Sequence, residues 1–189
     1  MQIMLPSRSR MSDPSSLFGL ILSDLRAKSL WCYESDRAAL LPRALLTDGT
    51  PAMILYRLMQ ASRRWHLPPL EMIFNRLNSI FCNCIIGRGA EFGARFVLIH
   101  ATGVVINGRV RGGCGVYLEH QVTIGAERYE SPQLGDDVFV GAGARILGPI
   151  RVGKGARIGA NAVVVHDVEA NTTVVGIPAR VVRTRSEKA

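Results

Sequence analysis

The sequence predicts a mainly β fold: a parallel β-helix of hexapeptide repeats behind an N-terminal α-helical region. Three observations carry this. Aliphatic or Phe side chains recur every six residues at Ile86, Phe92, Leu98, Val104, Val110, Val116 and Val122, and resume at Leu134, Val140, Ile146, Val152, Ile158 and Val164. Gly follows several of them, as in Ile86-Gly87, Val140-Gly141, Val152-Gly153 and Ile158-Gly159. A small residue often sits four places on, at Ala90, Cys114, Ala144, Ala156 and Ala162. Each hexad supplies one short strand and a corner, so three make a coil of about 18 residues. A single coil cannot bury its apolar side, and stacking creates the core. The small residues let the backbone turn each corner.

Composition fits this. Aromatics are 6% of 189 residues, which suits a thin coil of Val, Ile and Ala, and the 48% hydrophobic fraction argues against disorder. The net charge of +8 comes from basic residues scattered among acids, without an aromatic platform, so no nucleic-acid partner is expected. No apolar run is long enough for a transmembrane helix. Residues 1–16 read as a disordered basic tail without the pattern of a secretory signal, and Met4 and Met11 are alternative start residues. Cys32, Cys82, Cys84 and Cys114 form no disulfide framework, which places the chain in a reducing cytoplasm.

Residues 17–84 read as an α-helical domain. A short helix runs from Leu17 to about Ala27, and a second covers Asp36 to Leu46 with Pro42 weakening its middle. Thr50 as N-cap and Pro51 at the first helical position open a stronger one, with Ile54, Leu55, Leu58 and Met59 at helical spacing. Pro68 and Pro69 open the last, whose Leu70, Ile73, Phe74, Leu77 and Phe81 form one stripe needing a partner surface. Residues 85–183 form the β-helix. The stretch Gly125 to Gln133 leaves the coil and returns in phase, because Leu134 follows Val122 by two hexads, and an extruded loop of this kind commonly carries function. Residues 184–189 are a charged tail.

His100, in Ile99-His100-Ala101-Thr102-Gly103, breaks the small-residue habit of the hexads and is the candidate general base, although spacing leaves the direction of its ring open. His120 stands where a small inward residue is usual, which predicts a buried, hydrogen-bonded imidazole. His166 falls at a corner and His66 at a helix end. Cys82-Asn83-Cys84 is too short for zinc without further ligands, and no metal is expected. The chain has no Gly-rich phosphate motif and no nucleophile elbow.

Several segments resemble the serine acetyltransferase family of hexapeptide-repeat acetyltransferases. They are His100-Ala101-Thr102-Gly103-Val104-Val105-Ile106, Gln121-Val122-Thr123-Ile124-Gly125, the run from Val140 to Ala160, and Val175-Gly176-Ile177-Pro178-Ala179-Arg180-Val181-Val182. Asp24-Leu25-Arg26-Ala27 and Tyr56-Arg57 in the helical part are also similar. The resemblance implies a left-handed coil, a homotrimer, and acetyl-coenzyme A as donor; the helical part is short beside the family's, which favours a trimer over a pair of trimers. It makes His100 the catalytic base for an acceptor hydroxyl. Ala142 and Ala160 match positions where a small residue admits the pantetheine arm, with corner packing as the plain alternative. Arg157 matches a basic position suited to a coenzyme phosphate, or is a surface cation.

Three departures bear on the acceptor. The family's acid fifteen residues before the histidine is Ile85 here; its acid just before the histidine is Ile99; and Glu130-Ser131 replace an Arg-His pair in the loop. Glu119 is a candidate for the missing orienting acid. The apolar setting resembles a side branch that acetylates colanic acid and other exopolysaccharides, so the expected acceptor is a sugar or polysaccharide precursor. The alternatives are L-serine, as in cysteine biosynthesis, and an inactive β-helix scaffold. The chain ends Glu187-Lys188-Ala189, not in the family's terminal Ile, so a complex with the partner sulfhydrylase is not expected.

Overall fold

The computed structural model describes residues 16–127 and 129–184; the tails expected over 1–16 and 184–189 lie outside these residues except for Ser16 and Thr184. Four α-helices come first: α1 (Leu17–Tyr33), α2 (Leu41–Leu45), α3 (Thr50–Arg64) and α4 (Pro68–Cys82), with a 3-10 turn at Ala38–Leu40 before α2. Ser16 caps α1, its hydroxyl accepting from the Gly19 N–H at 3.1 Å. At α3 the expected cap moves by one residue. Gly49 is the N-cap with φ of 82°, and Thr50 opens the helix. The Thr50 hydroxyl donates instead to the Ala44 carbonyl at 2.8 Å, tying α3 to α2.

Short strands then wind into a coil with three faces, strands within a face pairing in parallel. The first face holds β1 (Ile85–Ile86), β4 (Val105–Ile106), β7 (Thr123–Gly125), β10 (Arg145–Leu147) and β13 (Val163–Val164). The second holds β2 (Glu91–Phe92), β5 (Arg111–Gly112), β8 (Gln133–Leu134) and β11 (Arg151–Val152). The third holds β3 (Val97–Leu98), β6 (Tyr117–Leu118), β9 (Phe139–Val140), β12 (Arg157–Ile158) and β14 (Thr172–Val175). The last strand, β15 (Arg180–Thr184), returns antiparallel against β14.

The hexad count needs one correction. Ile86 aligns with Ile106, not Val104, and Leu98 aligns with Leu118, so the first coil advances 20 residues. Two extra residues lie in the corner between Leu98 and Ile106, the corner that carries His100. The extruded loop lengthens a later coil to 22 residues, as Tyr117 pairs with Phe139. The slip was invisible because each side of a coil has two inward positions, two residues apart. Val104 and Ile106 are both buried, as are Val116 with Leu118 and Val122 with Ile124. An insertion of two moves the count from one inward row to the other without breaking the six-residue rhythm.

The helices close the open end of the coil. Met53, Tyr56 and Met59 of α3 join the same core as Ile86, Phe92, Phe96 and Leu98. The Tyr56 hydroxyl accepts from the Phe92 N–H at 3.0 Å and donates to the Ala90 carbonyl at 3.2 Å. Arg57 is buried and grips the Asp24 carboxylate of α1 through Nε at 2.6 Å and Nη2 at 3.0 Å. The same guanidinium donates to the Phe92 and Gly93 carbonyls, and Asp24 accepts from the Phe96 N–H at 2.9 Å. The two short helical motifs picked out in the sequence are thus halves of one buried clamp. The expected stripe on α4 turns inward only in part: Phe74 packs against the core, but Leu70, Ile73 and Phe81 are exposed, while Asn75 and Asn78 bind the coil and α3 through the Ile86 and Ala52 carbonyls. No helix among the described residues is long and apolar enough to cross a membrane.

Candidate active site

His100 projects from the two-residue insertion where the third face turns into the first, with its side chain 52% exposed. Its Nδ1 lies 2.9 Å from Oδ2 of Asp48. A carboxylate there selects the tautomer protonated on Nδ1, leaving Nε2 as the acceptor that a general base needs. The orienting acid therefore comes from the helical region, 52 residues away in the chain. Ile85 sits on the outer surface of β1 and Glu119 faces His120, so neither expected position serves His100.

The Asp48 loop is held from several sides. The Gly49 N–H donates to Oδ1 of Asp48 at 2.8 Å. Gly49 also has to be glycine: at φ of 82°, a Cβ would lie 2.2 Å from the Leu98 carbonyl oxygen. Beneath the pair lies Lys28 of α1, 1% exposed. Its ammonium donates to the carbonyls of Asp48 at 2.6 Å, Leu98 at 2.7 Å and Ile99 at 2.7 Å. Burial pushes its pKa down, with the Cys32, Asp48 and Glu119 charges opposing. One buried cation thus ties the strand leading to His100 to the loop bearing Asp48. Nothing in the spacing of the sequence connects these three segments.

Ile99 does not line the acceptor side. It is buried with Ala27, Val97, Tyr117 and Phe139 on the outer surface of the third face, where Trp31 of α1 stacks at 5.4 and 5.7 Å from the rings of Tyr117 and Phe139. His120, expected in the core, is half-buried at the surface, its ring 5.9 Å from that of His100 and its Nδ1 3.6 Å from the Glu119 carboxylate. The slip of two in the count is the reason: His120 occupies a corner, not an inward position.

Strand register puts three site residues in one column. Leu118 aligns with Val140 and Val140 with Ile158, so two residues on, His120, Ala142 and Ala160 stack along the same edge, and His100, in the insertion, lies beside the foot of that column with its ring 5.9 Å from that of His120. Backbone bonds confirm the contact between rungs and continue the column down to Thr102: the Gln121 N–H donates to the Thr102 carbonyl, the Gly143 N–H to the His120 carbonyl and the Asn161 N–H to the Ala142 carbonyl. Three rungs, about 14 Å at the usual strand spacing, separate Thr102 from Ala160. Arg157 stands apart from the column. It is nearly buried on the third face, with its guanidinium 4.8 Å from the centre of the Phe139 ring.

The extruded loop lies at another edge, between the first and second faces. Glu127 and Glu130 pair across it, and Arg109 reaches over Tyr129, 5.6 Å from the ring centre, donating to its carbonyl. Among the described residues, no cluster of three or more His, Cys, Asp or Glu could hold a metal ion.

Comparison with known proteins agrees with this construction. Residues 131–166 match the family model described as bacterial transferase hexapeptide (six repeats). The repeats and the chain's relatives place it among the acyltransferases of the hexapeptide-repeat class. A serine acetyltransferase from Bacillus pumilus is 36% identical over 162 residues, 82% of this chain and 75% of that protein. One from Mycobacterium tuberculosis is 47% identical over 98 residues, 50% of this chain and only 43% of that protein. Among solved structures, soybean serine acetyltransferase complexed with serine superposes with a TM-score of 0.79 at 34% identity, over 89% of this chain and 70% of that one. The Brucella abortus enzyme in complex with coenzyme A gives 0.78 at 27% identity, over 88% and 68%. The chain belongs to the serine acetyltransferase family. This overturns the expectation of a sugar acceptor. That expectation rested on acids missing at fixed positions, and the fold supplies an acid from another part of the chain.

Proposed function

We propose that the protein is an L-serine O-acetyltransferase that uses acetyl-coenzyme A. The observation that carries this reading is the His100–Asp48 pair at 2.9 Å, set at the foot of the column of His120, Ala142 and Ala160. Relatives solved with serine and with coenzyme A support the two substrates. Nε2 of His100 takes the proton from the serine hydroxyl as its oxygen attacks the thioester carbonyl, while Asp48 stabilises the imidazolium that forms. Ala142 and Ala160 leave the column above His120 free of bulky side chains, so the pantetheine arm can lie along it and bring the thioester down towards the base.

The exposed flank of the column supports assembly into a trimer. Ile85 and Val105 are register partners on the outer surface of the first face, 49% and 41% exposed beside the His100 corner. A neighbouring subunit covering them would close the groove and exclude water from the thioester. We place the enzyme in the cytoplasm, where its four cysteine side chains stay as thiols.

The test is release of free thiol from acetyl-coenzyme A. L-serine should support turnover at ordinary enzyme rates, and His100→Ala should lower it by about 10³-fold. Thiol release that ignores L-serine, or survives in His100→Ala, would overturn the reading.

A further inference from the structure

His120 is a second imidazole in the same groove, and the base mechanism leaves it unused. It sits at the foot of the column, between the base and the two alanines of the donor side. The rings meet edge to face at 5.9 Å. Each imidazole turns Nδ1 to a carboxylate, His100 to Asp48 at 2.9 Å and His120 to Glu119 at 3.6 Å. In each ring that leaves Nε2 clear of the carboxylate. The two differ in position: His100 lies beside the foot of the column, and His120 lies where a pantetheine sulfur would arrive if the arm runs down from Ala160 and Ala142.

We infer that His120 is the general acid of the reaction, giving its proton to the departing coenzyme A thiolate; this rests on the acetyl-transfer reading above. The serine hydroxyl gives its proton to Nε2 of His100 as its oxygen bonds to the acetyl carbon. The carbon–sulfur bond then breaks, sulfur keeps the electron pair, and it takes the proton from Nε2 of His120. The proton held by His100 passes through groove water to His120, and both return to their starting state. Glu119 is the carboxylate beside the His120 imidazole, 3.6 Å from its Nδ1. The other charges near the pair are Asp48, beside His100, and the buried ammonium of Lys28, within reach of both carboxylates. The rung above is Gly141-Ala142-Gly143 and brings no charge.

The experiment compares the full-length protein with His120→Gln and Glu119→Gln, reading kcat, coenzyme A affinity by calorimetry and the pH dependence of kcat. His120 is half-exposed, so His120→Gln should fold. It should lower kcat by about 10²-fold while coenzyme A affinity stays within twofold. It should also change the alkaline limb of the kcat profile. Glu119→Gln should lower kcat by a smaller factor than His120→Gln, because it removes the carboxylate 3.6 Å from Nδ1 and leaves the imidazole in place. A kcat within threefold of the parent, an equal loss of coenzyme A affinity, or an unchanged alkaline limb in His120→Gln would overturn the inference. The two readings fail differently. A parent that does not acetylate L-serine sinks the function itself. An active parent matched by His120→Gln sinks only the acid.

Discussion

At the residue scale, the site depends on a few buried groups that hold exposed ones. Lys28 is the clearest case, with three carbonyls on one ammonium. Lys28→Met keeps the length of the side chain and removes every donor. Leaving those acceptors without a partner should cost on the order of 3 kcal/mol, read as a lower midpoint in urea unfolding, and kcat should fall because Asp48 is no longer fixed. The cysteines give an independent check on burial. Cys84 is fully buried and its thiol is pushed up to about 12, whereas Cys32 is exposed. In the native protein a thiol reagent at pH 8 should label Cys32 within minutes and Cys84 only after denaturation. Labelling of both at one rate would show that the cap over the first coil is not closed.

At the element scale, the corner and the cap matter more than the coil. The two-residue insertion after β3 turns His100 out of the stack, and the α2–α3 connection brings Asp48 to it. Gly49→Ala should be damaging for two reasons, its left-handed φ and the 2.2 Å approach to the Leu98 carbonyl oxygen. The strain alone is worth roughly 1–3 kcal/mol. The expected result is a large loss of kcat with a moderate loss of stability, and an unaffected kcat would mean the loop has another way to seat Asp48. The clamp between α1 and α3 makes a separate prediction. Arg57→Met strands the buried Asp24 carboxylate and should cost about 3–5 kcal/mol in denaturant unfolding.

These elements also show what the sequence made legible. The strands and inward rows could be read because stacking forces an aliphatic residue at every rung. His100 could be read because an imidazole at a corner breaks that pattern. The alignment of Ala142 with Ala160 followed from an unbroken 18-residue coil. Asp48 could not be found by spacing, since it reaches His100 from a helical connection whose path depends on how the cap docks. The environment of His120 was misread for a related reason. A two-residue insertion shifts a side chain from core to corner while leaving the apolar rhythm intact. The sugar acceptor failed with it, because a missing acid at one position says nothing of an acid arriving from elsewhere.

At the scale of the whole molecule, a rigid coil carries a linear groove and a helical cap supplies the charge that the groove lacks. A trimer would bury the apolar flank at Ile85 and Val105, and light scattering should give three chains per particle. Val105→Glu should shift that mass towards the monomer and lower activity together with it. The central claim is that the cap, not the coil, orients the catalytic base. The most direct measurement is steady-state acetylation of L-serine by Asp48→Asn. With the 2.9 Å contact unable to hold an imidazolium, kcat should fall by about 10²-fold or more, while the KM for acetyl-coenzyme A and the unfolding midpoint stay near those of the parent. A kcat unchanged by Asp48→Asn would contradict the account.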